Sequence, residues 1–574
     1  MNNTQIAKQL ETLADLLEFT GANSFRTRAY RNGARTIHQM PNAVADLVAS
    51  GQDLTQLDGI GKGVAEKVEE LIESGTISQM EEIFQDVPRS VLDLLNVPKL
   101  GPKKVAALFQ QLGVTNLEEL KTACENKQVR ELSGFGAKTE ESILAGIAIA
   151  SQANERILWA EADEIVWAIR EHMKICDAIR QMEFAGSYRR GKETVGDLDL
   201  LVDADEFDIV MDHFGKFPEV NDVVARGDTK MTVTLRSGLN VDLRVVPTAS
   251  FGAALQYFTG SKEHNVAVRR LAKEKGLKVN EWGVFADSDP EVSVAGKDEP
   301  EVYRSLGLHW VPPELRENHG EIEQATSADF EPLIELSDIV GDLHMHTNET
   351  DGTATIEEMA EAAQALGLKY IAITDHSKRV TMARGLDADR LRRQWDEIDA
   401  LNEWMPDDFV ILKGIECDIL EAGGMDLPDD VLEEADWVIA SVHYGQNQPR
   451  KQITGRIIGA IENPNVSIVA HPTGRLINRR EPYEVDMEAV MHAAKENRKL
   501  LELNASPRRL DLNEIHLSMA KKLNIPIVIS TDAHHPDGLK TMRYGIVQAR
   551  RGGLTRQDVA NSRPWDWIRE YLGR

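Results

Sequence analysis

The sequence predicts several domains in series: helical domains first, an α+β region in the middle, and a parallel α/β barrel at the C-terminal end. Three observations carry this. Glycine-containing turns separate short amphipathic helical patterns up to about residue 150. A mixed region follows, with strand-like runs that include "DLDLLVD" at Asp197–Asp203. After Gly341, seven short apolar runs alternate with helical patterns. A chain of 574 residues is also too long for one hydrophobic core.

Composition narrows the class without naming a partner. Hydrophobic content of 42% with 28% charged residues is that of an ordinary globular chain. The first residues are polar and amphipathic, and no apolar run approaches the roughly 18 residues of a membrane span, so neither a leader nor a membrane anchor is expected. Cys124, Cys176 and Cys417 are odd in number and far apart, which fits a reducing cytoplasm. Net charge is −29. That opposes non-specific attraction to nucleic acid, but a local row of cations or backbone amides is enough to hold a phosphate backbone.

In the helical region three turns look alike: "LDGIGKGVAEKV" (57–68), "VPKLGPKKVAAL" (97–108) and "LSGFGAKTEESI" (132–143). Each sets a Gly-rich turn and a lysine before a helix. Glycines let consecutive N–H groups face outward at a helix N-terminus, where they hold a phosphate without reading a base. One such turn is usually a plain connection. Three in succession read as helix-hairpin-helix elements, with Gly59, Gly61, Gly101, Lys103, Gly134 and Gly136 as DNA-backbone contacts.

The middle region reads as a helix over about 153–172 and strands over 197–202, 230–235 and 240–246. Along a strand, residues i and i+2 share a face, so Asp197 and Asp199 point the same way. Asp242 adds a third acid on a neighbouring strand. A solvated edge strand would tolerate a bare D-x-D; three converging carboxylates repel one another unless cations neutralise them. Mg²⁺ or Mn²⁺ would do so while leaving coordination sites for phosphate oxygens. Two ions about 3.5–4 Å apart can activate a hydroxyl and stabilise a leaving pyrophosphate. Upstream, Gly186-Ser187 opens a turn suited to a triphosphate, and Arg190 can clamp it. Gly-Ser followed about ten residues later by D-x-D is the nucleotidyltransferase pattern.

"GSYRRGKETVGDLDLLV", "GDTKMTV", "VDLRVVP" and "YFTGSKEHNVAVRRLAKEKGLKVNEWGVF" together resemble the family X DNA polymerases, over about residues 1–318. The resemblance implies that Asp197, Asp199 and Asp242 hold two catalytic metals. It implies that Ser187, Arg190 and Gly196 meet the incoming triphosphate and that Tyr257, Phe258 and Gly260 flank the sugar. Asn265 would sit at the base edge, and Lys230 and Arg269 on the template strand. Asn240 stands where polymerase beta has an arginine, which puts rate in question. "SFRTRAYRNGARTI" with "GIGKGVAEKVEEL" is similar to the same family's lyase domain. Lys67 would there attack an abasic sugar or bind phosphate, Arg26 and Tyr30 would face the 5′-phosphate, and Arg26, Arg28 and Arg31 would lower the cost of an uncharged lysine. Gly63 replaces a phosphate-binding lysine of the animal enzyme.

Nine of the 15 histidines follow Gly341. His344, His346, His376, His443, His471 and His534 fall at or just after strand ends, with Asp351, Glu416 and Asp532. A parallel barrel gathers those ends at one rim. Mixed imidazole and carboxylate donors suit Zn²⁺, Mn²⁺ or Fe²⁺. "DLHMHTNETDG", "TDHS", "GIECDI", "ASVHYG", "AHP", "ELNASPRR" and "STDAHH" resemble the PHP (polymerase and histidinol phosphatase) domain, a distorted (β/α)7 barrel, over about 338–574. That likeness implies up to three metals and 3′–5′ exonuclease or abasic-site cleavage; Asp351 stands where several members have His. Arg475 and Arg508 are candidate phosphate binders.

The expected order is a lyase-like helical domain (1–82), helix-hairpin-helix fingers (83–150), a nucleotidyltransferase palm (151–250), a thumb (251–318), a loosely packed linker (319–337) and a PHP barrel (338–574). The expected function is gap-filling DNA synthesis on gapped or nicked DNA with dNTPs, by a cytoplasmic monomer. The alternatives are an untemplated nucleotidyltransferase, and a non-catalytic clamp on DNA ends with a barrel phosphatase.

Overall fold

The computed structural model describes residues 3–38, 40, 44–57, 59–95, 97, 100–152 and 156–574. They group into two compact units. The grouping does not follow the linear domain boundaries expected from sequence, because residues 219–226 and 232–240 of the middle region fall in the first unit with residues 1–156.

The first unit is chiefly helical. One core is built from Ile6, Leu10, Leu13, Tyr30, Val64 and Val68, and a second from Val91, Leu94, Val105, Leu108, Leu120 and Phe135. Each of the three glycine turns runs into a helix: Lys62–Ser74, Pro102–Leu112 and Ala137–Gln152. Gly59 takes φ +82 and Gly134 φ +85, a backbone region that other residues enter only at a cost. Gly61 and Gly101 are helix N-caps without a side-chain cap, so their turns leave N–H groups facing out.

In the second unit, strands β1 (Gln181–Phe184), β2 (Asp197–Asp203) and β3 (Asn240–Val246) build the palm sheet, β1 pairing antiparallel with β2. The sequence-based helix over 153–172 is Trp159–Met173; residues 153–155 lie outside the described residues. Leu198, Leu200, Val241, Leu243 and Val245 are buried, while the aspartates alternate to the other face. Helix Phe251–Thr259 is followed by helix Lys262–Glu274 and then by a three-stranded antiparallel meander.

Segment 319–337 is not a loose linker. It holds helix Glu321–Ser327, with Ile322 and Ala325 buried in the thumb core. Its short length and five polar residues in seven hide the helical period. Glu321 is buried too, and its carboxylate lies 2.6 Å from His264 Nδ1, while His264 Nε2 lies 2.8 Å from the Tyr303 hydroxyl. A buried acid needs such a partner.

Seven parallel strands then follow in sequence order: β4 (Gly341–Asp342), β5 (Tyr370–Ile373), β6 (Val410–Asp418), β7 (Trp437–Ser441), β8 (Ile468–Val469), β9 (Leu500–Asn504) and β10 (Ile527–Ser530). The runs are largely apolar because helices cover one face and side chains fill the barrel on the other. The ring is drawn together by the parallel bridge Met345–Ala533, by Asp532 N–H donating to the His344 carbonyl (2.9 Å) and by His346 N–H donating to the Ala533 carbonyl (2.8 Å).

Gly252 lets helix Phe251–Thr259 pack closely against the N-cap of helix Glu299–Ser305: a Cβ there would lie 2.2 Å from the backbone carbons of Asp298. Gly252→Ala is expected to destabilise the protein by about 1–3 kcal/mol. A urea midpoint equal to wild type would contradict this close packing.

Candidate metal centres

Two sites collect groups that cannot neutralise one another. In the palm, Asp197 and Asp199 leave β2 two residues apart and Asp242 leaves β3. Burial pushes the Asp199 carboxyl up to about 7, and the charges of Asp197 and Asp242 add to it. Gly186, at φ +63, is the floor of this crowding: a Cβ there would stand 2.4 Å from Asp199 Oδ2. Any other residue at the Gly-Ser turn would displace the acid. Lys230 Nζ sits 2.6 Å from Asp242 Oδ2. Expected at the template strand, Lys230 here pairs with Asp242, because three clustered carboxylates attract the nearest ammonium.

Around the acids, Ser187 lies on the short helix Gly186–Arg189, and Gly196 is exposed beside Asp197. Arg190 donates from Nε to Glu317 Oε1 (3.0 Å) and from Nη1 to the Thr259 carbonyl. Arg189 pairs with Glu299 through both Nη atoms, at 2.8 Å each, and the fully buried Arg316 reaches the same carboxylate at 2.6 Å. Burial opposes the Glu299 charge, but Arg316 and Arg189 outweigh it and hold the carboxyl down at about 2. Tyr257 and Phe258 meet edge to face at 5.1 Å, with Arg269 over Tyr257 and Arg244 over Phe258. Gly260 takes φ +68. Asn265 is not free at a base edge: it donates to the Tyr257 carbonyl (2.6 Å) and accepts from Gln256 (3.0 Å). Its amide fixes the aromatic pair instead, since a nearly buried amide must satisfy both ends.

In the barrel all nine expected donors meet. His346, Asp351, His376 and His534 form one group able to hold an ion; His344, His346 and Glu416 form a second; His376, Glu416 and His443 form a third. Asp532 joins through Oδ1, 3.2 Å from His346 Nε2, and His471 through Nε2, 3.1 Å from Glu416 Oε1. The donors fit divalent cations on physical grounds. His344 Nε2, both ring nitrogens of His346, His376 Nδ1 and Glu416 Oε2 are buried without an aligned hydrogen-bond partner, a costly condition unless a cation occupies the site. His471 (φ +30) and Asp532 (φ +55) have left-handed backbones. Such strain is kept where function over-determines it.

Protonation shows the same conflict. Burial opposes charge on His376, yet Glu416 and Asp351 outweigh it and raise the ring to about 10. Burial and the neighbouring His376 instead lower His346 to about 4. Burial works against the Asp351 charge, but His376 and His534 pull its carboxyl below the usual range.

Behind these donors stands a layer that sequence reasoning missed. Glu502 lies 2.7 Å from His344 Nδ1 and accepts from the Ser530 hydroxyl (2.7 Å) and the His471 N–H (2.6 Å). Asp418 accepts from the His443 N–H at 3.0 Å, and Asp375 from Thr347 and Gln394. Arg509 Nε lies 3.9 Å from Asp532 Oδ2. The signal was an acid inside an apolar strand, as in "LLELN". Arg475, expected to bind phosphate, is buried against Glu193 (2.6 Å) because its strand end faces the palm turn; Arg508 is exposed.

In the first unit, Lys67 Nζ lies 2.6 Å from Glu70 Oε2, and Tyr30 is buried with its hydroxyl toward the Gly63 carbonyl (3.4 Å). Arg26 donates to Gln79 (2.8 Å). Arg31, expected to ease deprotonation of Lys67, is committed to Asp15 and Glu18, both at 2.7 Å, since two acids of the first helix face it. Lys103 stands at the start of its helix after Gly101.

Comparison with known proteins finds related domains along the chain. The DNA polymerase beta palm matches residues 156–248 and the DNA polymerase beta thumb 254–317. A helix-hairpin-helix domain matches 1–77, a SAM-like helix-hairpin-helix tandem 91–148 and the PHP domain 342–506. The "DNA polymerase/3'-5' exonuclease PolX" of Bacillus subtilis (strain 168) is 41% identical over 100% of both chains. A probable phosphatase of Thermoanaerobacter sp. (strain X514) is 32% identical over 41% of this chain and 94% of its own. DNA polymerase lambda of Rattus norvegicus is 26% identical over 55% of this chain and 56% of its own. A three-carboxylate palm with a Gly-Ser turn, tethered to an imidazole-lined barrel, defines a class of nucleotidyltransferases joined to phosphoesterase-type barrels. Within that class, the chain belongs to the family X DNA polymerases that carry a C-terminal PHP domain.

Glu502→Gln removes the acceptor that orients His344. Metal retained by the barrel of an Asp197→Asn/Asp199→Asn protein should then show an affinity about 10–100-fold weaker. Titration calorimetry giving the parent affinity would contradict the role assigned to Glu502.

Proposed function

We propose that the protein is a DNA-directed DNA polymerase that fills short gaps during base-excision-type repair, and that its barrel trims 3′ ends as a 3′–5′ exonuclease, with abasic-site processing as an accessory activity. The observation that carries this is the presence, in one chain, of a crowded palm triad and a separate nine-donor barrel. Divalent cations supply charge neutralisation for the attacking 3′-hydroxyl and leaving pyrophosphate in the palm, and Lewis acidity toward a phosphodiester in the barrel.

The chain's own groups do the rest. Asp197, Asp199 and Asp242 hold Mg²⁺ or Mn²⁺, with Asp242 nearest the primer end. Ser187, Arg190 and Gly196 receive the triphosphate. Tyr257, Phe258 and Gly260 pack on the sugar, and Asn265 supports them from behind. The barrel donors would hold Zn²⁺, Mn²⁺ or Fe²⁺; Arg509 stands 3.9 Å from Asp532, and Arg508 is a candidate phosphate contact. Arg269 and Lys230 meet the template. Gly59, Gly61, Gly101, Lys103, Gly134 and Gly136 hold backbone phosphates with Arg26. The Lys67–Glu70 pair favours phosphate contact by Lys67 over imine chemistry. The domain order from lyase-like helices to barrel is part of this reading, as are a monomer and a cytoplasmic location, the latter supported by three free cysteines. No helix among the described residues is long and apolar enough to cross a membrane.

One-nucleotide-gapped DNA with Mg²⁺ or Mn²⁺ tests the proposal. Asp197→Ala should abolish extension by at least about 10³-fold and leave 3′ shortening intact; His344→Ala should do the reverse. Loss of both activities in either variant contradicts two separate centres.

A further inference from the structure

A second buried charge network lies where the palm turn after the Gly-Ser helix meets the barrel's helix Met542–Arg551. Arg551, with 1% of its side chain exposed, donates from Nη1 to the Arg190 carbonyl (2.8 Å) and stands 3.2 Å from Glu317 Oε1. Its Nη2 reaches Glu514 Oε1 at 2.6 Å. The same Glu317 oxygen accepts Arg190 Nε at 3.0 Å and lies 3.5 Å from Lys192 Nζ. Two further contacts fix this turn. Glu193 is held by Arg475 (2.6 Å) and Gln548 (3.0 Å), and Gly191, at φ +66, is so close to the barrel that a Cβ would lie 2.3 Å from Val547.

The arrangement leaves Arg190 in one orientation. Nε is taken by Glu317 and Nη1 by the Thr259 carbonyl, while among the described residues Nη2 makes no hydrogen bond. A guanidinium held by two of its nitrogens presents the third edge to an anion without losing rotamer freedom on binding. Burial raises the cost of charge on Glu317, but Lys192, Arg190 and Arg551 hold its carboxyl down at about 2. It is therefore an anionic anchor at any working pH.

We infer that Glu317 and the barrel residue Arg551 are positioning residues for Arg190, so that helix Met542–Arg551 is a working part of the polymerase nucleotide site. This rests on the proposed reading of Arg190 as a triphosphate contact. The barrel thus contributes to nucleotide affinity through a face remote from its own metal donors. Merely structural contacts would instead lower both activities together.

Steady-state gap filling by the full-length protein tests this, with 3′ shortening measured on the same preparations. Glu317→Gln and Arg551→Met should raise the dNTP KM about ten-fold with kcat within about two-fold. Arg551→Lys should recover part of the loss, and 3′ shortening should stay at the wild-type rate. Combining Glu317→Gln with Arg190→Ala should be no worse than Arg190→Ala alone. If Arg551→Met does not fold, Glu317→Gln decides. A raised KM in Arg190→Ala with wild-type KM in Glu317→Gln overturns the inference and spares the site reading. Additive losses, or a parallel fall of kcat and 3′ shortening, also overturn it. An unchanged KM in Arg190→Ala removes Arg190 from the nucleotide site, and the inference falls with it.

Discussion

Mutual repulsion among carboxylates at the end of the palm sheet is the constraint to which the surrounding structure is fitted. Asp199 sits under a turn that only glycine can form at that distance, and burial, reinforced by two further acids beside it, pushes its carboxyl up to about 7. Such a group is poorly matched to water and well matched to a dication, which replaces the proton and cancels the crowding. The Lys230–Asp242 pair shows the same demand met by the nearest available charge.

The barrel meets a related demand differently. Its donors are mostly imidazoles, and their difficulty is orphaned lone pairs in a buried rim rather than like charge alone. Parallel strands bring residues from His344 to His534 to one end, and an inner layer of Glu502, Asp418 and Asp375 aims or anchors them through hydrogen bonds. The left-handed backbones of His471 and Asp532 fit a rim whose geometry is set by its contents. Between the two centres run ion pairs that tie the turn after Arg190 to the barrel.

Much of this was legible in the sequence because the chemistry is local. D-x-D on an apolar strand, H-x-H, and D-x-H after "VIST" each put two donors on one face within three residues. The seven barrel strands were readable as apolar runs, and the glycine turns by their repetition. What could not be read depended on long-range partners. Arg475 looks like a phosphate binder until Glu193, far back in the chain, is seen against it. Arg31 looks available to Lys67 until Asp15 and Glu18 claim it. Segment 319–337 looks like linker because the two buried apolar residues of its helix, Ile322 and Ala325, make sense only against the thumb core. Glu502 and Asp418 were hidden inside strands whose pattern spoke only of burial.

The most direct measurement is anomalous scattering from crystals of the protein with Mn²⁺, gapped DNA and a non-hydrolysable dNTP. The account predicts manganese bridging Asp197, Asp199 and Asp242 with the Lys230 ammonium moved off Asp242, and separate ions among the barrel histidines. Palm carboxyl groups spread apart and vacant beside a bound nucleotide would contradict it.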